Sequence, residues 1–188
     1  MDRLNFLRLC IAAWMLWAIY WFLAAFAVSR TKSSEGLLLR MQHVLPLLIG
    51  FLLIFHGGRP WTFGHILQSR ISQFSGAAIT VLGLLFSLWS RIHLGKYWSG
   101  IITLKEGHKL IRTGPYRFVR HPLYSGFLAA VFGTALVAGT ADGLIGFAII
   151  FVAYLAKMSR EETVLTNEFG DDYRSFKRER SAIIPFIY

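Results

Sequence analysis

Charge is scarce in this sequence: 16% of its 188 residues are charged, against about 25% in an ordinary soluble domain. Acidic residues are the scarcer kind, 10 Asp and Glu beside 20 Lys and Arg. There is one cysteine, Cys10, set inside the first apolar run. An intramolecular disulfide is therefore excluded, as are metal sites built on several thiolates. His43, His56 and His65 show no metal-ligand spacing with carboxylates, so no metal site is assigned. Nor is there a Gly-x-Ser-x-Gly elbow, a Walker loop or a Rossmann fingerprint, which argues against a cofactor site of the soluble kind.

What is present is apolar and comes in blocks. Hydrophobic residues make up 55% of the chain. Leu9 to Val28 carries no charge and is about 20 residues long, enough to cross the hydrocarbon core as a helix. It is rich in aromatics (Trp14, Trp17, Tyr20, Trp21, Phe22, Phe26) and further apolar blocks follow, which marks a retained anchor rather than a cleaved signal peptide. Five membrane segments are expected, near 6–28, 42–56, 71–92, 125–139 and 143–158. Only Thr140, Ala141 and Asp142 separate the last two, the length of a tight helical hairpin. The expected fold is all-α: a polytopic membrane bundle of about five helices. Residues 1–93 form its first three spans. Residues 94–188 form a second half with a long loop, the hairpin and a tail.

The net charge of +10 is not a nucleic-acid signature, because the cations lie between the apolar blocks. Stretches 29–41, 93–124 and 157–188, with Arg91 at a helix edge, hold sixteen of the 20 Lys and Arg residues. The positive-inside rule puts these stretches in the cytoplasm and the N-terminus outside. Anionic lipid headgroups are the natural counter-charge. Any chemistry is expected where the 93–124 loop and the 157–188 tail meet.

Two pieces of those stretches stand out. In 94–126, cations alternate with aromatics and with Gly-Pro punctuation. Gly114-Pro115 signals a turn. His121 precedes Pro122 and is pushed towards an extended backbone. Pro122 suits the first turn of a helix, whose free N–H groups can hold an anion such as a carboxylate. Arg120-His121-Pro122-Leu123-Tyr124 gathers a cation, an imidazole and a phenol within five residues at a membrane boundary. The second piece is Lys157-Met158-Ser159-Arg160-Glu161-Glu162, ionisable groups at the end of a span, which are costly there. Lys157 and Glu161, four apart, share a helix face. The tail beyond reads as amphipathic, with an Ile-Ile-Pro-Phe end expected to tuck back against protein or membrane.

The order of Gly107-His108-Lys109-Leu110-Ile111, Gly114-Pro115-Tyr116, Arg120-His121-Pro122-Leu123-Tyr124, Glu161-Glu162, Phe169-Gly170-Asp171-Asp172-Tyr173 and Pro185-Phe186 resembles the isoprenylcysteine carboxyl methyltransferases and related small membrane methyltransferases. The likeness covers about 94–188. It implies a helical membrane enzyme that binds S-adenosylmethionine in its C-terminal half. The implied cofactor contacts are His108, Leu110, Ile111, Tyr116, His121, Pro122, Tyr124 and Glu161. Lys157 stands where the family has a substrate-side Arg, keeping the charge and losing the bidentate fork. Arg160, one turn on, is the candidate to supply that fork. Arg120 and Glu162 complete the catalytic candidates. A carboxylate acceptor is already ionised at neutral pH. An amine or thiol would need a base, for which His121 and Glu162 are the candidates. The acceptor is expected to enter from the bilayer and the cofactor from the cytoplasm, through two separate openings. A sterol-type reductase using NADPH, a phospholipid-amine methyltransferase and a non-catalytic lipid-binding protein are the alternatives.

Overall fold

The computed structural model describes residues 3–27, 31–34, 36–55, 64, 66–67, 69–98, 103–105 and 109–185. Six α-helices account for most of them: α1 (Arg3–Ala24), α2 (Leu37–Phe55), α3 (Arg70–Leu94), α4 (Pro122–Ala138), α5 (Ala141–Phe169) and α6 (Asp171–Glu179). Four of these, α1, α2, α3 with its short extension to Tyr97, and α5, are long and apolar enough to cross a membrane, and α4 is a shorter apolar helix. The five expected segments are thus five helices. Two short strands, β1 (Thr31–Ser34) and β2 (Thr103–Lys105), add a small antiparallel ladder to the helical bundle. It joins the segment after α1 to the segment after α3, and so places both at the same end of the bundle.

Several boundaries differ from the periodicity. α2 begins at Leu37, ahead of the uninterrupted apolar run, and carries Pro46 inside it. α4 starts at Pro122 rather than 125, since proline's fixed φ suits the first helical position. The hairpin turn is tighter than Thr140–Asp142. Gly139 closes α4 at φ 66°, and the Thr140 hydroxyl accepts from the Gly143 N–H at 3.1 Å to start α5. α5 runs past 158 to Phe169, because no Gly or Pro intervenes before Gly170, which stops it at φ 55°. Its apolar part, 141–158, is about 27 Å long at 1.5 Å per residue, so the turns from Ser159 onward project beyond the span. The tail does tuck back. Arg120 and His121 N–H groups donate to Ser181 and Ala182 carbonyls at 2.9 Å each, and Ala182 and Ile183 are buried. Phe186 lies outside the described residues.

The core of the bundle is α3 against α4. Gly76 and Gly83 on α3 face Gly133 and Gly126 on α4, each pair seven residues apart and so on one helix face. A Cβ on Gly83 would sit 2.6 Å from the Gly126 carbonyl oxygen. The two backbones therefore touch directly, as small residues permit in membranes, where lipid supplies no hydrophobic drive to pack helices. Between the glycines, the Thr80 and Thr134 hydroxyls lie 3.3 Å apart and each bonds a backbone carbonyl of its own helix four residues back, so no polar group is stranded. Gly50 and Gly146 make the same contact between α2 and α5, where a Cβ on Gly146 would meet the Gly50 oxygen at 2.5 Å. α1 packs on α3 and α4, and α2 on α5. α1 is fastened by indoles: Trp14 donates to the Thr134 hydroxyl at 3.0 Å and Trp17 to that of Ser87 at 3.2 Å.

Gly83→Ala forces α3 and α4 apart and is expected to destabilise by about 1–3 kcal/mol, the usual cost of overpacking. Gly36→Ala, where a Cβ meets nothing within 4 Å, is the matched control. Thermal unfolding in detergent reads both, and equal melting temperatures would contradict the packing described.

Candidate active site

The ends of α3, α4 and α5 converge at the face that also carries the ladder. There the 3-10 turn Gly114–Arg117 precedes α4, with Pro115 and Tyr116 buried. Leu110, Ile111, Tyr116, Arg120, His121 and Tyr124 line one narrow cleft of about 100 Å³, closed on the other side by Glu161 of α5 and Tyr173 and Phe176 of α6. Leu94 at the end of α3, and Tyr97 and Trp98 just beyond it, line it too, with Lys109, Leu123, Val164 and Leu165. Residues from Leu94 to Phe176 thus meet around one pocket that mixes charged, aromatic and aliphatic groups.

Two carboxylates that are neighbours in sequence point to different tasks. The Glu161 side chain lines the cleft and accepts a hydrogen bond from the Tyr124 hydroxyl at 2.7 Å. The Glu162 side chain turns into the structure and meets three cationic or imidazole groups. Arg120 Nε and His121 Nε2 reach Oε1 at 2.8 and 3.1 Å, and Lys177 Nζ reaches Oε2 at 2.7 Å. Burial opposes its charge, yet the hydrogen bonds from His121, Lys177 and Arg120 prevail and hold the carboxyl at about 2. Arg120 also donates to the carbonyls of Lys177 and Arg180 at the end of α6. Glu162 is therefore the knot that ties the loop, α5 and α6 into a wall. Burial, then the Glu161 charge, raises the Tyr116 phenol above its ordinary range. Burial, then the charges of Glu162 and Glu161, does the same to Tyr173. Both present neutral hydroxyls and aromatic faces at pH 7.

Beside the cleft lies a second, larger space. A cavity of about 810 Å³ runs between α1, α2, α4 and α5. Its walls are apolar and aromatic, with Trp14, Trp17, Trp21, Phe51, Phe127 and Tyr154 the largest contributors. Met15, at 60% exposure, and Phe55, at 41%, line it and face outward, so the cavity opens towards the bilayer. Lys157 is the only lysine or arginine among the described lining residues. It is buried, with its ammonium 5.6 Å from the Tyr124 ring centre and 5.7 Å from that of Tyr154, within reach of a cation–π attraction. Trp98, Leu123 and Tyr124 line both spaces and form the wall between them.

A family model described as phospholipid methyltransferase matches residues 71–172, more than half of the chain. The chain belongs to that family. It is similar to a probable protein-S-isoprenylcysteine O-methyltransferase of Oryza sativa subsp. indica, 26% identical over 167 residues that cover 87% of this chain and 86% of that one. The protein-S-isoprenylcysteine O-methyltransferase of Schizosaccharomyces pombe is 28% identical over 120 residues, 62% of this chain and 51% of its own length. Methanethiol S-methyltransferase 1 of Bradyrhizobium diazoefficiens is 37% identical over a shorter stretch, 38% of this chain and 24% of its own. The structure of a eukaryotic intramembrane Ras methyltransferase, isoprenylcysteine carboxyl methyltransferase, has the same fold, with a TM-score of 0.55 and 20% identity. The match covers 83% of this chain and 55% of that one. The chain is an integral membrane methyltransferase of this family.

The candidates named from sequence fall into three groups. Leu110, Ile111, Tyr116, Arg120, His121, Tyr124 and Glu161 line the cleft, and Pro122 is buried at the start of the helix that presents them. Lys157 lines the cavity. Arg160 and Glu162 line neither. Arg160 reaches back to α2, donating to Gln42 Oε1 at 2.7 Å and to the Leu39 carbonyl at 3.4 Å. It therefore fastens two helices and does not supply a fork beside Lys157. His108 lies outside the described residues. Trp98, Leu123, Tyr173 and Phe176 did not stand out as site residues, nor did the aromatics of α1. Trp14, Trp17, Ala18 and Trp21, spaced at helical intervals, were the available signal for one aromatic face.

Glu162→Gln leaves Arg120 and Lys177 facing a neutral amide and is expected to destabilise by about 3 kcal/mol or more, as losing one partner of a buried ion cluster does. Glu161→Gln keeps an acceptor for Tyr124 and is expected to change stability by less than about 1 kcal/mol. Melting temperatures of the two variants side by side check the division of labour.

Proposed function

We propose that this membrane methyltransferase takes its methyl group from S-adenosylmethionine and gives it to the carboxylate of an isoprenylcysteine or a similar lipophilic acceptor, at the cytoplasmic face. The observation that carries the proposal is the shared wall. A cleft that carries Arg120, His121 and Glu161 and an apolar cavity open to the bilayer meet at Trp98, Leu123 and Tyr124. A soluble donor and a lipid acceptor need this arrangement, two entrances and one meeting point. The names of the relatives from Oryza and Schizosaccharomyces support the acceptor class.

The cleft residues suit the donor chemically. Aromatic faces of Tyr116, Tyr124 and Tyr173 with the carboxyl of Glu161 are what a sulfonium cation requires. The start of α4 offers N–H groups for a carboxylate. At about 100 Å³ the cleft is smaller than the roughly 300–1,000 Å³ of ordinary ligand pockets, so binding widens it. The segment that yields is 109–113, which Arg112 latches to α6 through the Asp172 carbonyl and, at 3.9 Å, Glu179.

When bound, S-adenosylmethionine supplies an electrophilic methyl group on sulfur. The protein's part is placement. Lys157 meets the acceptor carboxylate where the apolar cavity ends, and its charge holds that head against the wall. The apolar walls take the lipid chain and exclude water, which strengthens the charge pairing. Alignment of acceptor oxygen, methyl carbon and sulfur carries the rate. The described lining of the cavity holds no carboxylate and no imidazole, which fits an acceptor that arrives already ionised. His121 and Glu162 hold each other within the wall and are not required as a base. A small thiol, the acceptor named for the Bradyrhizobium relative, would leave most of an 810 Å³ cavity unfilled.

The test is binding of labelled S-adenosylmethionine to the purified protein in detergent, followed by methyl-ester formation on S-farnesyl-N-acetylcysteine. Lys157→Met is expected to raise the acceptor KM about tenfold or more, the loss of one charge-assisted contact, with donor affinity within about twofold. Lys157→Arg keeps the charge and much of the activity. A folded wild-type protein that binds no donor would sink the proposal.

A further inference from the structure

Two chambers that meet at one wall need that wall held in place. Trp98 belongs to it, lining both the cleft and the cavity. It follows the 3-10 turn Gly95–Tyr97 and stands outside any helix, so the helical backbone does not fix it. Its ring is fixed by Arg91, in the last turn of α3. The guanidinium carbon lies 4.3 Å from the centre of the Trp98 ring. Nη1 donates to the Gly95 carbonyl at 2.9 Å and Nη2 to the Ala24 carbonyl at 2.8 Å. One planar cation thus joins three things: the C-terminal end of α1, the turn that leaves α3, and the indole. Beyond the indole, Trp21 meets Trp98 edge-on at 5.8 Å and stacks on Trp17 at 3.9 Å, and both line the cavity.

Arg91 is 3% exposed and is not among the residues lining either chamber. A buried guanidinium at a membrane boundary is costly, and snorkelling to the surface would relieve that cost. This one instead stays inside, capping the carbonyl end of α1, where a cation is favoured, with its face on an aromatic ring. We propose that Arg91 is a positioning residue for methyl transfer: by clamping Trp98 to the ends of α1 and α3, it sets the partition at which acceptor and donor meet. The inference rests on the methyltransferase function proposed above. Lysine cannot replace it fully, since an ammonium lacks the planar fork that serves two carbonyls and stacks at once.

The experiment is a double-mutant cycle of Arg91→Met and Trp98→Ala, reading kcat/KM for S-farnesyl-N-acetylcysteine per folded protein, with donor binding and melting temperature measured on each variant. Arg91→Met and Trp98→Ala are each expected to lower kcat/KM by about tenfold or more, as misplacement near a reacting centre does. The double variant should be no worse than Trp98→Ala within about threefold, because Arg91 acts through that ring. Arg91→Lys, which keeps the cation over the indole, should fall between wild type and Arg91→Met. It also stands in for Arg91→Met in the cycle if that variant does not fold. Losses that multiply, or a lowered melting temperature with kcat/KM unchanged, overturn the inference while leaving the methyltransferase function intact. A wild-type protein that binds no donor overturns both.

Discussion

Direct contact of the α3 and α4 backbones is the constraint on which the rest of the structure hangs. Gly76 and Gly83 against Gly133 and Gly126 leave no room for side chains, so the two helices have one relative position rather than a range. Membrane helices lack a hydrophobic drive to associate, and close van der Waals packing replaces it. Much of the partition between cleft and cavity is carried on the adjoining ends of these two helices. The end of α3 presents Arg91 and, through the turn that follows, Trp98. The start of α4 presents His121, Leu123 and Tyr124. Fixing the pair fixes the wall between cleft and cavity.

The second fixture is electrostatic. Glu162 binds Arg120, His121 and Lys177 together, and these come from the loop, the start of α4 and α6. The membrane-facing part of the bundle is held by packing, and the loop-facing part by this cluster. Each uses the interaction that its surroundings favour, since charge pairs strengthen where water is partly excluded and apolar packing does not depend on water at all once inside lipid. The consequence for function is a cup of charged and aromatic groups set on an apolar tunnel. Arg112 fastens the short segment 109–113, which lines the cup, onto α6.

A good part of this was legible in the residues. Long uncharged runs fix the number of helices, because the bilayer sets the length of a span. Pro122 marks where α4 starts, because proline suits a first turn, whereas the left-handed cap at Gly139 emerged from the structure. The convergence of Tyr116, His121, Tyr124 and Glu161 on one cleft was expected from family resemblance and is found in the structure. The parting of Glu161 from Glu162 was not. Adjacent helical positions differ by about a hundred degrees, and which one faces the cleft depends on how α5 is rotated against α4. Arg160 shows the same limit. It sits near Lys157 in sequence, yet its guanidinium is taken by Gln42 of α2, a helix that no local pattern links to it.

The sequence by itself determined the solvent class, the helical spans and their common polar face, since each follows from local hydrophobicity and charge, and the family resemblance of its motifs named part of the cleft. Only the tertiary structure decided that Glu162 ties the wall while Glu161 faces the pocket, that the tryptophans of α1 line a cavity ending at Lys157, and that Arg91 holds Trp98 between the chambers. Those outcomes depend on the rotation and depth of one helix against another. Side-chain contacts between separate helices, such as Trp14 with Thr134 and Arg120 with Glu162, set these, and no single stretch of chain encodes them.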